Sequence, residues 1–267
     1  MKLNSGKSLN IGNKTLIMAI LNVTPDSFSD GGKYNAIDAA KSRIAEIVEN
    51  GADILDIGAE STRPNFKPIT FDEEIERLEP ILKIAVRECP LPISVDTYKI
   101  KTAETAIRLG ADIINNIYGL DLEMAKLLAK YNVPVIAMHN QNIKGDVILD
   151  IKKYFKRALE IADEVNFSRN NIIFDIGIGF NKTQEQNLEI LRRLNELKFI
   201  DDVKYPMLLG VSRKSVIEYA TGLNVNERDE ATGAICVIGI SKGVDIVRVH
   251  NVKMISRMCK MADVILK

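Results

Sequence analysis

Short apolar stretches alternate with longer amphipathic stretches along the chain, and no linker interrupts the alternation. The apolar stretches are rich in Ile, Val and Leu and end at polar or turn-forming residues, as parallel strands buried on both faces do. The eight stretches are TLIMAILN, ADILDIGAE, LPISVDT, ADIINNI, VPVIAMHN, NIIFDIG, PMLLGVS and VDIVRVH. This pattern predicts eight buried strands.

The segments between these strands have the spacing of amphipathic helices. Apolar residues recur every three or four positions in AIDAAKSRIAEIVEN and in FDEEIERLEPILKIAVREC, and glycine stops follow in ENGAD and RLGAD. Eight strand–helix units in about 250 residues match a (β/α)8 barrel. The alternative, a doubly wound open sheet, calls for a glycine-rich phosphate turn after the first strand, which is absent here. We therefore predict an α/β fold with one domain, residues 1–267, forming a single TIM barrel.

The active site of such a barrel lies at the carboxyl-terminal ends of its strands. A charge placed in or just beyond an apolar stretch is costly unless a partner or ligand compensates it, which favours a functional role for Asp96, Asp175 and Arg248. For Asp56, Ser61 and Asn116, helix capping and function stay equally open. The polar residues at the strand ends are Asn22, Asp56, Glu60, Ser61, Thr62, Arg63, Asp96, Asn115, Asn116, His139, Asp175, Ser212, Arg213, Lys214, Ser215, Arg248 and His250.

The types of these residues indicate two kinds of ligand. Two carboxylates and an amide suit a flat heterocycle with several N–H donors, such as an aminopyrimidinone. Arginine and histidine with neutral oxygen ligands suit an anion, such as a phosphate bound together with a hard cation. The turn GVSRKS concentrates two cations and two hydroxyl groups between a strand and a helix.

Composition restricts the partners and the compartment. Lys plus Arg equals Asp plus Glu at 36 each, so no overall charge favours nucleic acid or a membrane surface. No apolar run approaches the roughly 18–20 residues that span a bilayer. The cysteines, Cys89, Cys236 and Cys259, are odd in number, far apart and not in a metal-ligand pattern. We expect reduced thiols and a cytoplasmic protein.

Two long segments, LNVTPDSFSDGG and GADILDIGAESTRP, resemble the signature segments of the dihydropteroate synthase family. The shorter motifs SVDT, INN, DIGIGF, GVSRKS and VRVHNV match that family in the same order, so the resemblance covers almost the whole chain. It implies a (β/α)8 barrel. It also implies condensation of 6-hydroxymethyl-7,8-dihydropterin pyrophosphate with p-aminobenzoate, giving 7,8-dihydropteroate and pyrophosphate in folate synthesis.

The resemblance implies three binding regions and no covalent nucleophile, with catalysis by electrostatic stabilisation. The expected cofactor is Mg²⁺ on Asn22, and a homodimer is expected, with the apolar last two helices as one possible contact. The expected pterin residues are Asp96, Asn115, Met138, Asp175, Phe180 and Lys214. The expected pyrophosphate residues are Asn22, Arg63, Arg248 and His250. The expected p-aminobenzoate residues are Phe28, Thr62, Pro64 and Ser215.

Three positions depart from the family pattern. Ile176 stands where proline is expected, Asn181 where glycine is expected, and Asn251 where aspartate is expected. Two other functions stay open. One is a pterin-dependent methyltransferase acting on a corrinoid protein, against which DSFSDGG and ESTRP argue. The other is a catalytically silent paralogue that binds pterin or pyrophosphate.

Overall fold

The computed structural model describes residues 1–23, 32–60 and 67–266, without the side chains of residues 32–36. Within these ranges, strands and helices alternate as the apolar pattern predicts. In chain order the elements are β1 (Leu16–Asn22), α1 (Gly32–Glu49), β2 (Ile54–Gly58), α2 (Phe71–Glu88), β3 (Ile93–Asp96), α3 (Ile100–Leu109), β4 (Ile113–Asn116), α4 (Leu122–Tyr131), β5 (Val135–Met138), α5 (Val147–Glu164), β6 (Ile172–Asp175), α6 (Gln184–Arg192), β7 (Phe199–Ile200), β8 (Val203–Lys204), β9 (Met207–Leu209), α7 (Ser215–Thr221), α8 (Asp229–Ser241), β10 (Ile246–Val249) and α9 (Val252–Leu266).

Eight parallel strands close into a barrel in the order β1, β10, β9, β6, β5, β4, β3, β2. The predicted (β/α)8 barrel is therefore confirmed, and each of the eight apolar stretches contains one barrel strand. Closure joins β1 to β10, with Met18 beside Arg248. The first and last strands, although remote in sequence, thus bring their carboxyl-terminal ends to the same part of the barrel mouth.

The helices cover the outside of the barrel with the faces that their spacing predicts. In α2, Leu78, Leu82 and Ala85 are buried, and Thr70 begins the helix with a capping box that includes Glu73. Gly110 ends α3 with a φ of 106°, a left-handed conformation that glycine adopts without strain. Within the described part of the chain, no helix has both the length and the apolar composition needed to cross a bilayer.

Two features are not predicted from the apolar pattern. The seventh unit carries a short helix, α7, before its main helix α8, and an antiparallel hairpin of β7 and β8 precedes β9. Both are short, with seven residues in α7 and two in each hairpin strand, so they show no periodicity that would predict a helix or a strand.

The barrel interior begins with an apolar layer that the N-terminal segment covers. Leu3 and Leu9 are buried and pack with this layer, and Met1 and Ile11 lie beside them, half-buried. The strand residues of the layer are Leu16, Met18, Ile54, Ile113, Ile136, Ile173, Leu208 and Ile246. The amino-terminal end of the barrel is therefore filled by hydrocarbon.

Candidate active site

A polar layer lies directly above the apolar layer inside the barrel. Successive side chains of a strand point to opposite faces, so the residue two positions after an inward residue also points inward. Asp96 belongs to the same layer, because it pairs with Asn115 in the register of β3 and β4. The other inward pairs are Ile54 with Asp56, Ile113 with Asn115, Ile136 with Met138, Ile173 with Asp175, and Ile246 with Arg248.

Arg248 lies at the centre of this layer and bridges two carboxylates. Its Nε donates to Asp56 Oδ2 at 2.7 Å, and its Nη2 donates to Asp96 Oδ2 at 2.8 Å. Asn115 Nδ2 also donates to Asp56 Oδ2, at 3.2 Å. The second oxygens, Asp56 Oδ1 and Asp96 Oδ1, are buried and have no hydrogen-bond partner among the described residues.

This cluster contains two carboxylates, Asp56 and Asp96, and one guanidinium group, that of Arg248. Burial raises the pKa of Asp96 to about 7; Arg248 opposes the shift, and the neighbouring Asp56 adds to it. Burial also disfavours the charge of Arg248, but Asp56 and Asp96 outweigh it and raise the guanidinium pKa. Arg248 therefore stays charged, and two buried acceptor oxygens are left that the N–H donors of a ligand could satisfy.

Lys214 and Asp175 form the second charged group of the layer. An ideal Cβ at Gly210 would lie 3.7 Å from Asp175 Oδ2 and 3.8 Å from Lys214 Nζ, so both side chains flank this glycine. Lys214 Nζ donates to the Ile178 carbonyl at 2.6 Å and lies 4.6 Å from the centre of the Phe180 ring. Burial lowers the pKa of Lys214 to about 8 and raises the pKa of Asp175.

Lys182 connects the ends of β5 and β6 and is a residue that sequence reasoning missed. Its Nζ donates to the carbonyl oxygens of His139, Gly177 and Phe180 at 3.1, 2.9 and 3.0 Å. Burial lowers the pKa of Lys182 to about 7. Gly177, with a φ of 69°, is required here because an ideal Cβ would lie 2.0 Å from the His139 carbonyl oxygen. The lysine thus fixes the backbone that carries Phe180.

Beside the mouth, Ser212 and His250 follow the neighbouring strands β9 and β10. Ser212 Oγ lies 2.9 Å from His250 Nδ1. Arg213, in a left-handed conformation at a φ of 59°, makes two hydrogen bonds to Asp229 at 2.7 and 2.8 Å. Asn251 Nδ2 donates to the same carboxylate at 2.9 Å, so an aspartate at position 251 would put two carboxylates against each other.

Asn22 ends β1 opposite Asp96. An ideal Cβ at Gly58 would lie 3.4 Å from Asp96 Cβ and 3.8 Å from Asn22 Oδ1, so Gly58 separates the two. Among the described residues, no group of three or more His, Cys, Asp or Glu could hold a metal ion. Mg²⁺ commonly takes only one or two protein oxygens and completes its shell with phosphate and water. Asn22 therefore fits an ion that arrives with a phosphate-bearing substrate.

The structure brings several of the predicted residues together. Asp96, Asn115, Met138, Asp175 and Lys214 lie at the carboxyl-terminal end of the barrel. Arg248, predicted with the anion residues, contacts the predicted pterin residue Asp96 in this structure. Ser215 begins α7, is exposed, and accepts from Gln184 Nε2 at 3.1 Å. Phe28, Thr62, Arg63 and Pro64 lie outside the described residues.

The sequence left the role of Asp56 open between helix capping and function. His139, also at a strand end, contacts Asp150 and not the interior cluster. Asp56 is fully buried and belongs to the interior cluster; its signal was its position two residues after Ile54. His139 is fully buried, with its Nε2 3.4 Å from Asp150 Oδ1. Burial lowers the pKa of His139 to about 4, so the ring is neutral at ordinary pH.

A barrel whose carboxyl-terminal mouth holds buried carboxylates, amides, a lysine and an arginine defines an enzyme of the TIM-barrel class. Residues 18–250 match the model of a family described as pterin binding enzyme. A dihydropteroate synthase of Clostridium beijerinckii is 49% identical over 276 residues, covering 100% of both chains. This chain belongs to the dihydropteroate synthase family.

Solved structures agree with this membership. A Clostridium difficile dihydropteroate synthase, crystallised in the presence of pteroic acid, superposes with a TM-score of 0.93 at 45% identity, covering 97% of this chain and 100% of that one. A Xanthomonas albilineans dihydropteroate synthase with 4-aminobenzoic acid has a TM-score of 0.88 at 31% identity, covering 94% and 93%.

Proposed function

We propose that this chain condenses 6-hydroxymethyl-7,8-dihydropterin pyrophosphate with p-aminobenzoate to give 7,8-dihydropteroate and pyrophosphate. The observation that carries the proposal is the pair of buried acceptor oxygens, Asp56 Oδ1 and Asp96 Oδ1, in a layer that also holds an amide and a lysine. A pterin ring offers an amino group and ring N–H donors that would satisfy such acceptors. Family membership supports the same reaction.

The pterin would lie across the interior polar layer. Asp96 and Asp175 would accept from its amino and ring N–H groups, the Asn115 amide could donate or accept, and Lys214 would donate to a ring acceptor. Lys214 is well placed for this because its ammonium group lies beside Asp175 and over Phe180. Met138 and Phe180 would bound the ring. The negative side chains would also stabilise positive charge that develops on the pterin as its leaving group departs.

The pyrophosphate would lie at the side of the mouth where β1, β9 and β10 adjoin. Asn22, Arg63, Arg248 and His250 are the proposed contacts. Asn22 would hold Mg²⁺, which supplies positive charge that makes pyrophosphate a better leaving group. Arg248 donates to Asp56 and Asp96 inside the barrel and is positively charged. It could therefore bind an anion without a change in its protonation.

The p-aminobenzoate would be shaped by Phe28, Thr62, Pro64 and Ser215. Its amine nitrogen would attack the pterin methylene carbon, the carbon–oxygen bond to pyrophosphate would break, and the amine would lose one proton. The chain's residues would therefore orient two substrates and stabilise charge, with no covalent enzyme intermediate.

The test is pyrophosphate release from the purified protein, given the pterin pyrophosphate and Mg²⁺, with and without p-aminobenzoate. We expect release that depends on p-aminobenzoate and matches dihydropteroate formation. Lys214→Ala is expected to lower kcat/KM by roughly a hundredfold or more, because the pocket loses its charged donor. The exposed Lys156→Ala is the matched control. Pterin binding without either product would leave the silent paralogue or the methyltransferase.

We also propose that the protein forms a homodimer through an apolar groove between α6, α7 and α8. The groove encloses about 480 Å³, and Ile238 on its rim is 51% exposed. Pairing with a second copy would bury this apolar surface, which is the usual basis of a stable dimer. The groove is lined by Leu188, Leu191, Val216, Ile217, Ala234, Ile235 and Ile238, among others.

The dimer proposal is tested by light scattering on size-separated protein. Ile238→Glu is expected to shift the mass from dimer to monomer, because a charge in a buried apolar contact is costly. Leu122→Glu, at an exposed position of α4, is the control and should leave the dimer intact. A monomeric parent protein would overturn the proposal, and so would a dimer that Ile238→Glu leaves intact. Loss of the dimer in Val264→Glu alone would place the contact on α9 and overturn the groove as the interface. The cytoplasmic location stays a prediction from the sequence.

A further inference from the structure

Ser212 and His250 form a hydrogen-bonded pair that joins the ends of β9 and β10. Ser212 is 8% exposed, and its Oγ lies 2.9 Å from His250 Nδ1. The backbone N–H of His250 donates to the same Oγ at 3.2 Å. On the other side, Arg43 Nη2 donates to the His250 carbonyl at 3.1 Å, which fixes the backbone on which the ring is carried.

Counting protons decides the direction of the hydrogen bond between the side chains. A serine hydroxyl has one proton to donate and two lone pairs that accept. The His250 backbone N–H takes one lone pair, so the hydroxyl proton can be donated to Nδ1. If a neutral ring carried its proton on Nδ1 instead, both N–H groups would donate to Oγ. The hydroxyl proton, in a buried position, would then have no acceptor among the described residues.

We infer that Ser212 is a positioning residue that holds the neutral His250 ring in the tautomer with its proton on Nε2. This makes Nε2 a hydrogen-bond donor, as recognition of a polyphosphate anion requires. The inference rests on the proposed function in one respect, the role of His250 in binding pyrophosphate.

The tautomer matters because the oxygens of a magnesium-bound polyphosphate are chiefly hydrogen-bond acceptors. A ring with its proton on Nδ1 would direct the lone pair of Nε2 at those oxygens, and the contact would repel. In the inferred tautomer the same nitrogen donates a hydrogen bond to a charged acceptor, which is among the stronger hydrogen bonds in proteins. Ser212 would thus act on the anion through His250 without contacting it.

The experiment is ¹⁵N nuclear magnetic resonance of the full chain labelled only at histidine, at a pH where His250 is neutral. The chain has two histidines, so two ring systems are observed and His139 is an internal control. In the parent protein we expect a pyrrole-type Nε2 and a pyridine-type Nδ1 for His250. Ser212→Ala should shift His250 toward a mixture of tautomers with the His139 signals unchanged, and Ser212→Thr should restore the parent pattern.

Two results would overturn the inference. One is a parent protein whose His250 carries its proton on Nδ1. The other is a His250 tautomer that stays the same in Ser212→Ala.

Titration with inorganic pyrophosphate and Mg²⁺ then separates the inference from the proposed function. We expect the Nε2 signal of His250 to move, and the pyrophosphate affinity of Ser212→Ala to fall roughly tenfold, as the loss of one hydrogen bond to a charged group predicts. If the tautomer is as inferred but pyrophosphate leaves His250 unaffected, the tautomer assignment is supported. The proposed anion role of His250 is then overturned.

Discussion

Arg248→Met is expected to lower the free energy of unfolding by about 3–5 kcal/mol, because it removes the guanidinium from two buried carboxylates. Asp56 and Asp96 each accept from Arg248, and each has a second buried oxygen without a partner among the described residues. Removal would leave two adjacent buried negative charges. Urea unfolding of the ligand-free protein measures the change.

The loss of unfolding free energy in Arg248→Met, called the deficit below, should also depend on pH. Burial raises the pKa of Asp96 to about 7 in the folded protein, well above its value of about 3.9 in an unfolded chain. Between these values the folded state binds more protons than the unfolded state, so this group lowers stability as pH rises from about 4 to 7. Without Arg248 the pKa of Asp96 rises further, and the loss continues to higher pH. The deficit should therefore be larger at about pH 8 than at about pH 5.

A double variant tests the cause. Arg248→Met with Asp56→Asn removes one of the two like charges and keeps an amide oxygen for Asn115. It should be more stable than Arg248→Met alone at about pH 8. A double variant that is less stable, with the two losses simply adding, would show that repulsion between the carboxylates is not the reason for the deficit.

Lys182→Met is expected to lower the free energy of unfolding by about 3 kcal/mol, since three inward carbonyl groups lose their shared donor. The methionine fills a similar volume, so packing changes little. Pterin affinity should fall as well, because the backbone of the Phe180 segment loses the contacts that fix it. Urea unfolding and pterin titration measure the two effects.

A control variant distinguishes the effect of losing the buried hydrogen bonds of Lys182 from the effect of losing any lysine. Lys156 makes an exposed ion pair with Asp201 at 2.9 Å, and Lys156→Met should change neither stability nor pterin affinity measurably. If Lys182→Met behaved like Lys156→Met in both assays, the three carbonyl contacts would have no energetic importance.

The sequence predicts the barrel well because each strand is a short apolar run with no competing interpretation. It also predicts which strand ends carry polar groups into the barrel interior, since Asp96, Asn115 and Asp175 each stand at the end of such a run. It cannot assign partners across the barrel. Closure of the predicted barrel places β10 near β2 and β3, but the sequence pattern does not say that Arg248 forms ion pairs with Asp56 and Asp96.

Asp56 and Lys182 show two different limits of sequence reasoning. Asp56 could have been assigned to the interior from the alternation of inward and outward residues in ILDIG, once Ile54 is known to face inward. Lys182 carries no such signal, because it lies in an irregular loop after β6. Its side chain folds back onto three backbone carbonyls, and irregular backbone has no period from which that path could be predicted.

The position of the apolar layer beneath the polar layer has a consequence for the evolution of such a protein. The apolar layer, covered by Leu3 and Leu9, contains no polar side chain of the candidate site. Hydrophobic exchanges of similar volume there are tolerated in most proteins. The polar layer above it holds Asp96 and Arg248, for which we propose contacts with the substrates. Neutral substitutions can therefore accumulate in the apolar layer while selection for the reaction acts on the polar layer. Neither process disturbs the other much.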